Sequence, residues 1–232
     1  MRILFLLFVS ILPVILIGNY IYNKDVDKEP MSLLVRLFFS GIGSFVLTCV
    51  FYSLFDIFFP FLSFNELNFS MFDLFIHVFF GIALIEEFSK WFFVYKISYN
   101  SLEFDQVYDM IVYCVFVALG FACIENIFYV LDNGLSVGII RGLLAVPGHA
   151  CDGVFMGYYL AISKYVSHDK EIKNHYLFMS LFVPILLHAF YDFCLISGNV
   201  FLVIIFLIFI IILYYYSFRK IKVMSNISTK IK

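Results

Sequence analysis

Gly81-Ile-Ala-Leu-Ile-Glu-Glu-Phe-Ser-Lys-Trp-Phe-Phe93 lies inside an apolar run over residues 74–97, long enough at about 1.5 Å per residue to cross a bilayer as a helix. Two adjacent carboxylates and a lysine are costly in such a run if they face lipid, so they are expected to face protein or trapped water. Helical spacing supplies a partner. Glu86 and Lys90 are four apart and Glu87 and Lys90 three apart, so the ammonium can neutralise one carboxylate while the other stays available for acid–base work. A buried ion pair that only fixes helix packing is the plainer alternative.

Composition agrees with a membrane setting. The 232 residues are 63% hydrophobic and 14% charged, with a mean hydropathy of +1.00, too little polar surface for a water-soluble globule. Backbone groups in lipid must pair internally, and long apolar runs rather than short alternating ones select helices over a barrel. The expected fold is therefore all-α, a polytopic helical bundle of about seven spans, with a single membrane-embedded domain over residues 1–232. A net charge of −2 without a basic stripe excludes nucleic acid as the expected partner. Cys49, Cys114, Cys123, Cys151 and Cys194 all fall in expected spans without CxxC spacing, and read as small buried apolar residues.

The spans expected from the apolar runs are residues 3–20, 33–59, 74–97, 110–131, 139–163, 176–196 and 200–218. The first could be mistaken for a signal peptide, but no small-x-small cleavage site follows and it reads as an anchor. A charged connector, 23–30, leads to Pro30, which suits the start of the next helix. Gly41, Gly43 and Ser44 are small residues suited to close helix approach, as are Gly153 and Gly157. Residues 61–73 read as a loop without Lys or Arg, 98–109 as a polar, acidic loop, and Asp132-Asn-Gly134 as a turn. Asp56, His77, His168 and His175 are expected to be solvated near span ends or in a loop, and Tyr20, Tyr22 and Tyr214-Tyr-Tyr216 to be interfacial aromatics. A basic tail, 219–232, closes the chain.

Lys and Arg accumulate in cytoplasmic loops. Lys24, Lys28, Lys96, Lys164, Lys170, Lys173, Arg219, Lys220, Lys222, Lys230 and Lys232 fall on one side of a seven-span arrangement, with Arg2 and Arg141 as the main exceptions. The C-terminus is expected in the cytoplasm and the N-terminus outside. No internal repeat or pair of broken helices marks a secondary transporter, and no soluble domain is expected, so any activity is expected to reside among the spans.

Three more spans carry polar groups. Gly120-Phe-Ala-Cys-Ile-Glu-Asn-Ile-Phe-Tyr129 sets Glu125 and Asn126 in an apolar run; Pro147-Gly-His-Ala-Cys-Asp-Gly153 brings His149 one turn before Asp152; His188-Ala-Phe-Tyr-Asp192 puts a His and an Asp on one helix face. Counted from span centres, Glu86 and Glu87 lie near the midplane and His149 and His188 slightly outward. Glu125 and Asp192 fall within roughly 10 Å of the midplane on the outer side. All could line one cavity in the outer half of the bilayer.

These segments, taken in order with Asp27-Lys-Glu-Pro30, Arg36-Leu-Phe-Phe-Ser-Gly41, Tyr108-Asp-Met-Ile-Val-Tyr113 and the run from Arg141 to His149, resemble the PrsW intramembrane proteases, which are distantly similar to the CAAX prenyl proteases and their bacterial relatives. Met110 departs from the pattern, in which Gly usually follows the Asp, and lies outside the polar set. The resemblance implies a multi-pass protease of the bacterial plasma membrane, with the Glu pair and His188 essential. It further implies the first cleavage of a single-span anti-sigma factor in a stress-response pathway.

Peptide hydrolysis needs an activated water, an oxyanion stabiliser and an acid for the leaving amine. The expected assignment gives water activation to Glu86 or Glu87, with Lys90 keeping one of them ionised. His149 and His188 are oxyanion stabilisers or metal ligands, Asp192 orients His188, and Glu125 with Asn126 completes the cluster. His149, His188, Glu87 and Glu125 are candidate ligands for a zinc ion, although HExxH is absent; a carboxylate-activated water without metal is the other form. The rival readings are a proton-coupled transporter or proton relay, and a non-catalytic scaffold whose polar groups only join helices.

Overall fold

The computed structural model describes residues 2–60, 70–166 and 168–231, which are helical along nearly their whole length and contain no strand. In chain order the helices are α1 (Arg2–Lys24), α2 (Met31–Phe58), α3 (Met71–Ile76), α4 (Leu84–Ser98), α5 (Asp109–Asn133), α6 (Leu135–Leu143), α7 (Ala145–Ala161), α8 (Lys170–Ile196) and α9 (Val200–Ile231), with wide π-helical turns at His77–Ala83 and Ile162–Val166. Among the described residues, six helices are long and apolar enough to cross a membrane: Ile3–Lys24, Met31–Phe58, Asp109–Asn133, Leu135–Lys164, Lys170–Ile196 and Val200–Ile227. The protein is thus a multi-pass membrane protein. The expected third span is not among the six: α3, the wide turn and α4 join end to end there, but Glu86, Glu87 and Lys90 interrupt the apolar run.

Helix α5 is the axis of the bundle. It packs on α7, α2, α1, α4 and α6, and nearly every residue from Asp109 to Cys123 is buried, as expected of a helix that is apolar all round. Close approach on two sides depends on glycine. A Cβ on Gly120 would lie 1.9 Å from the Phe38 carbonyl oxygen, and one on Gly157 would lie 2.5 Å from that of Met110, so α2 and α7 pack backbone to backbone against α5. The outer helices present apolar faces to lipid, with Leu4, Phe39 and Ile211 all exposed.

Local chemistry explains the breaks. Pro30 caps α2. Pro147 in the first turn of α7 has no N–H and its ring would crowd the carbonyl of Leu143; the chain leaves helical geometry at Leu144, and the Leu143 carbonyl instead accepts from Tyr214 Oη at 3.0 Å.

Several expectations need correction. Residues 61–69 of the expected 61–73 loop lie outside the described residues, but Ser70 and Asp73 form a reciprocal cap that starts α3, a Ser-x-x-Asp signature of a helix N-terminus. His77 is not solvated: it is buried in the wide turn with its ring edge-on to Phe55. Cys49 is exposed while the other four cysteines are buried, all as free thiols. The basic segment after residue 218 is no separate tail, since α9 runs on to Ile231 with Ile221 and Met224 buried and Ser225 Oγ donating to the Lys24 carbonyl at 2.7 Å.

Candidate active site

The polar residues of α4, α5, α7 and α8 converge. Lys90 Nζ donates to Glu87 Oε1 at 2.7 Å, lies 3.4 Å from Glu86 Oε2, and meets His149 Nδ1 at 3.1 Å. Its charge also rests 4.1 Å from the centre of the Phe121 ring, a favourable cation–π contact. The i,i+3 and i,i+4 spacing of α4 builds both carboxylate contacts, and α7 supplies the imidazole across the helix interface.

Each imidazole is held from both sides. The Lys90 ammonium can only donate, so His149 Nδ1 accepts and Nε2–H donates to Glu125 Oε2, 2.9 Å away. The same Glu125 oxygen accepts from Arg141 Nη2 at 2.7 Å, and the guanidinium stacks 3.8 Å over the Tyr129 ring. His188 Nδ1 sits 2.8 Å from Glu87 Oε1 and Nε2 3.3 Å from Asp192 Oδ2, with Asp152 Oδ2 3.9 Å from Nδ1. The two imidazole rings meet edge to face at 5.2 Å.

A cavity of about 780 Å³ opens beside this network, and Glu86, Glu125, His149, His188, Asp152 and Asp192 line it. Its walls are largely apolar, from Phe45 and Phe55 on α2 to Leu195 and Ile196 on α8. The two adjacent acids face different ways: Glu86 borders the cavity, whereas Glu87 is wholly buried behind it. Glu86 Oε1 accepts from Tyr52 Oη at 2.7 Å, which leaves Oε2 toward Lys90 and, at 3.8 Å, His188 Nε2.

The structure therefore brings together Glu86, Glu87, Lys90, Glu125, His149, His188 and Asp192. It does not bring in Asn126, whose Nδ2 donates to the Ser10 carbonyl on α1 at 3.0 Å; neighbouring helix residues point about 100° apart, so Glu125 and Asn126 cannot both face the cavity. Tyr52, Arg141, Asp152 and His77 join the cavity lining without having been singled out as site residues. Arg141 carried a signal, as an exception to the one-sided distribution of Lys and Arg; Tyr52 carried none.

The donor set fits a metal. One ligand atom each from Glu86, Glu87, His149 and His188 lies within 4.8 Å of the others, all four residues are buried, and Glu87 Oε2 has no hydrogen-bond partner. Glu125 is outside this set and instead holds the far nitrogen of His149, the position of a carboxylate that orients a ligating imidazole.

Comparison with known proteins shows the family. The chain is 39% identical to Protease PrsW of Oceanobacillus iheyensis over 80% of each chain. It is 36% identical to Protease PrsW of Bacillus subtilis over 92% of each, and 32% identical to that of Clostridioides difficile over 98% of this chain and 94% of the relative. No solved structure matches it. The family model described as PrsW family intramembrane metalloprotease matches residues 29–216, and the chain belongs to this family of intramembrane proteases.

Proposed function

We propose that the chain hydrolyses a peptide bond in or near the span of a single-span membrane protein, with Glu86 activating the water. The observation that carries this is the division of labour between the paired acids: one borders the cavity of about 780 Å³, the other is sealed behind it against Lys90 and His188. Water at the cavity floor gives a proton to Glu86 Oε2 as its oxygen bonds to the scissile carbonyl carbon, and the same carboxyl returns the proton to the departing amide nitrogen as the C–N bond breaks. Tyr52 keeps the other Glu86 oxygen occupied, so the base presents a single atom. Negative charge developing on the carbonyl oxygen is met by His188, held in place by Glu87 with Asp192, while His149, its Nδ1 accepting from Lys90 and its Nε2–H given to Glu125, fixes the ammonium beside the buried acids. Lys90 offsets the charge of the buried pair.

Glu87, His149 and His188 would hold a divalent metal such as zinc as a two-His, one-Glu set, leaving Glu86 free for water. A bound metal supplies a Lewis acid that lowers the pKa of water.

Charge and contacts together support one membrane orientation. Ser225 meets Lys24, Gln106 meets Asp27, and Lys164 meets the Tyr99 carbonyl, so the Lys-rich connectors and the far end of α9 share one end of the bundle. We assign that end to the cytoplasm, with the N-terminus outside and the cavity toward the outer half of the bilayer. Within the family reading, the substrate is a single-span anti-sigma factor undergoing its first cleavage in an envelope-stress response. The test is co-expression with single-span anti-sigma factors carrying tags at both ends. Cleavage in the wild type and intact substrate with Glu86→Gln are expected; cleavage that persists in Glu86→Gln removes the assignment.

A further inference from the structure

A second group of buried acids stands at the Lys-rich end of the bundle. Asp25 and Glu29 come from the connector between α1 and α2, Asp109 from the first turn of α5, and one carboxylate oxygen of each lies within 4.8 Å of the others. Their exposures are 3%, 6% and 0%. Protein donors satisfy only part of the group. Tyr113 Oη donates to Glu29 Oε2 at 2.5 Å, and the N–H groups of Asp105 and Gln106 donate to Asp109 Oδ2 at 3.1 and 2.6 Å. Both oxygens of Asp25 and Oδ1 of Asp109 have no hydrogen bond of proper geometry, although the N–H groups of Asp27 and Glu29 lie beside Asp25.

Nor does a side-chain cation neutralise the group. None of the ion pairs among the described residues includes Asp25, Glu29 or Asp109. Lys28, the nearby lysine, turns its ammonium to the backbone carbonyls of Tyr22 and Asp25 instead. Three carboxylates this close, out of water and with open lone pairs, repel one another strongly. Burial pushes the Glu29 carboxyl up to about 7, and raises that of Asp25 even though the Lys28 ammonium offsets part of the effect. The available donors are all hard oxygens, with neither imidazole nor thiolate among them, and Oε1 of the buried Gln106, three residues before Asp109, also lacks a partner.

We infer that Asp25, Glu29 and Asp109 form a binding site for a hard divalent cation, Ca²⁺ or Mg²⁺, that clamps the α1–α2 connector to the start of α5. Oxygen-only ligands, two or three of them carboxylates, are the coordination these ions require. The cation fixes the N-terminal end of the helix that carries Glu125, about 24 Å further along at 1.5 Å per residue. It is therefore separate from the proteolytic site and does not depend on how that site works.

The experiment uses the full chain purified in detergent, stripped with chelator, in wild type, Asp25→Asn, Glu29→Gln and Glu86→Gln. Tb³⁺ is added and its luminescence excited through tyrosine, since Tyr113 touches the site, and Ca²⁺ or Mg²⁺ is then titrated in competition. Expected are saturable luminescence, displaced by one of the two ions, in wild type and Glu86→Gln, and its loss in Asp25→Asn and Glu29→Gln. At a hundredfold excess over Kd the bound ion should raise Tm by about 5–10 °C in wild type and by nothing in Asp25→Asn. Without cation, Asp25→Asn should melt no lower than the stripped wild type, because one repelling charge is gone, so loss of binding is not loss of fold. Luminescence that survives in both connector variants, or a wild-type Tm indifferent to both ions, overturns the site.

Discussion

Two buried clusters of carboxylates lie at different levels along α5, one at Asp109 and one at Glu125, and they differ in what faces the acids. Around Glu86, Glu87 and Glu125 every negative charge meets a cation or an imidazole: Lys90, Arg141, His149 and His188 interleave with the carboxylates. Around Asp25, Glu29 and Asp109 the neighbours are a phenol and backbone N–H groups. The first cluster holds its own counter-charges, so its acids can be ionised in the dark of the bundle and one can be spared for water. The second leaves oxygens open, an arrangement suited to a ligand from outside. Burial alone says little about what an acid does; the partners decide.

The comparison can be broken at several points. The largest effect is expected from Glu86→Gln, which keeps the shape and removes the base: cleavage of a reconstituted single-span substrate should fall by about 10²–10⁴-fold, with Tm nearly unchanged. Lys90→Met should make the catalytic cluster resemble the other by leaving Glu87 buried without its cation, a loss of about 3–5 kcal/mol in thermal or denaturant unfolding. Adding Glu87→Gln to that variant should recover much of the stability but none of the cleavage. Arg141→Gln frees Glu125 from one of its two donors, so the hold on His149 loosens; a fall in cleavage of about 10–100-fold is expected, and where metal supports activity, a matching fall in metal affinity measured by competition with a chelating dye. The smallest effect belongs to Asn126→Ala, which deletes a hydrogen bond to α1 outside the cavity: about 1 kcal/mol of stability and a cleavage rate within about twofold of wild type.

How much the sequence revealed follows the geometry of helices. Pairs within one helix were readable, because Glu86, Glu87 and Lys90, and likewise His188 and Asp192, sit three or four apart and must meet. Apolar runs gave the helical class, and the helices extend past those runs, as α1 (Arg2–Lys24) and α8 (Lys170–Ile196) show. Contacts between helices were not readable. That His149 pairs with Glu125 and Lys90, or that Tyr52 reaches Glu86 from α2, depends on how α2, α4, α5 and α7 pack, and no spacing encodes it. Adjacent residues misled for a simple reason: Asn126 was grouped with Glu125, yet a helix turns it away toward Ser10. His77 misled too, since its burial depends on the wide turn that precedes the Glu pair.

That turn has one further consequence. A π-helical segment winds more residues into each turn than the α-helix around it, so His77–Ala83 sets the phase of everything that follows in α4. Rewinding the same seven residues as α-helix, with none removed, would swing Glu86 around the helix axis by roughly 100° or more, away from the cavity and its would-be substrate, whereas removing one residue as the segment tightens would nearly restore its direction. The acid pair is aimed by the length of the segment before it as much as by its own position.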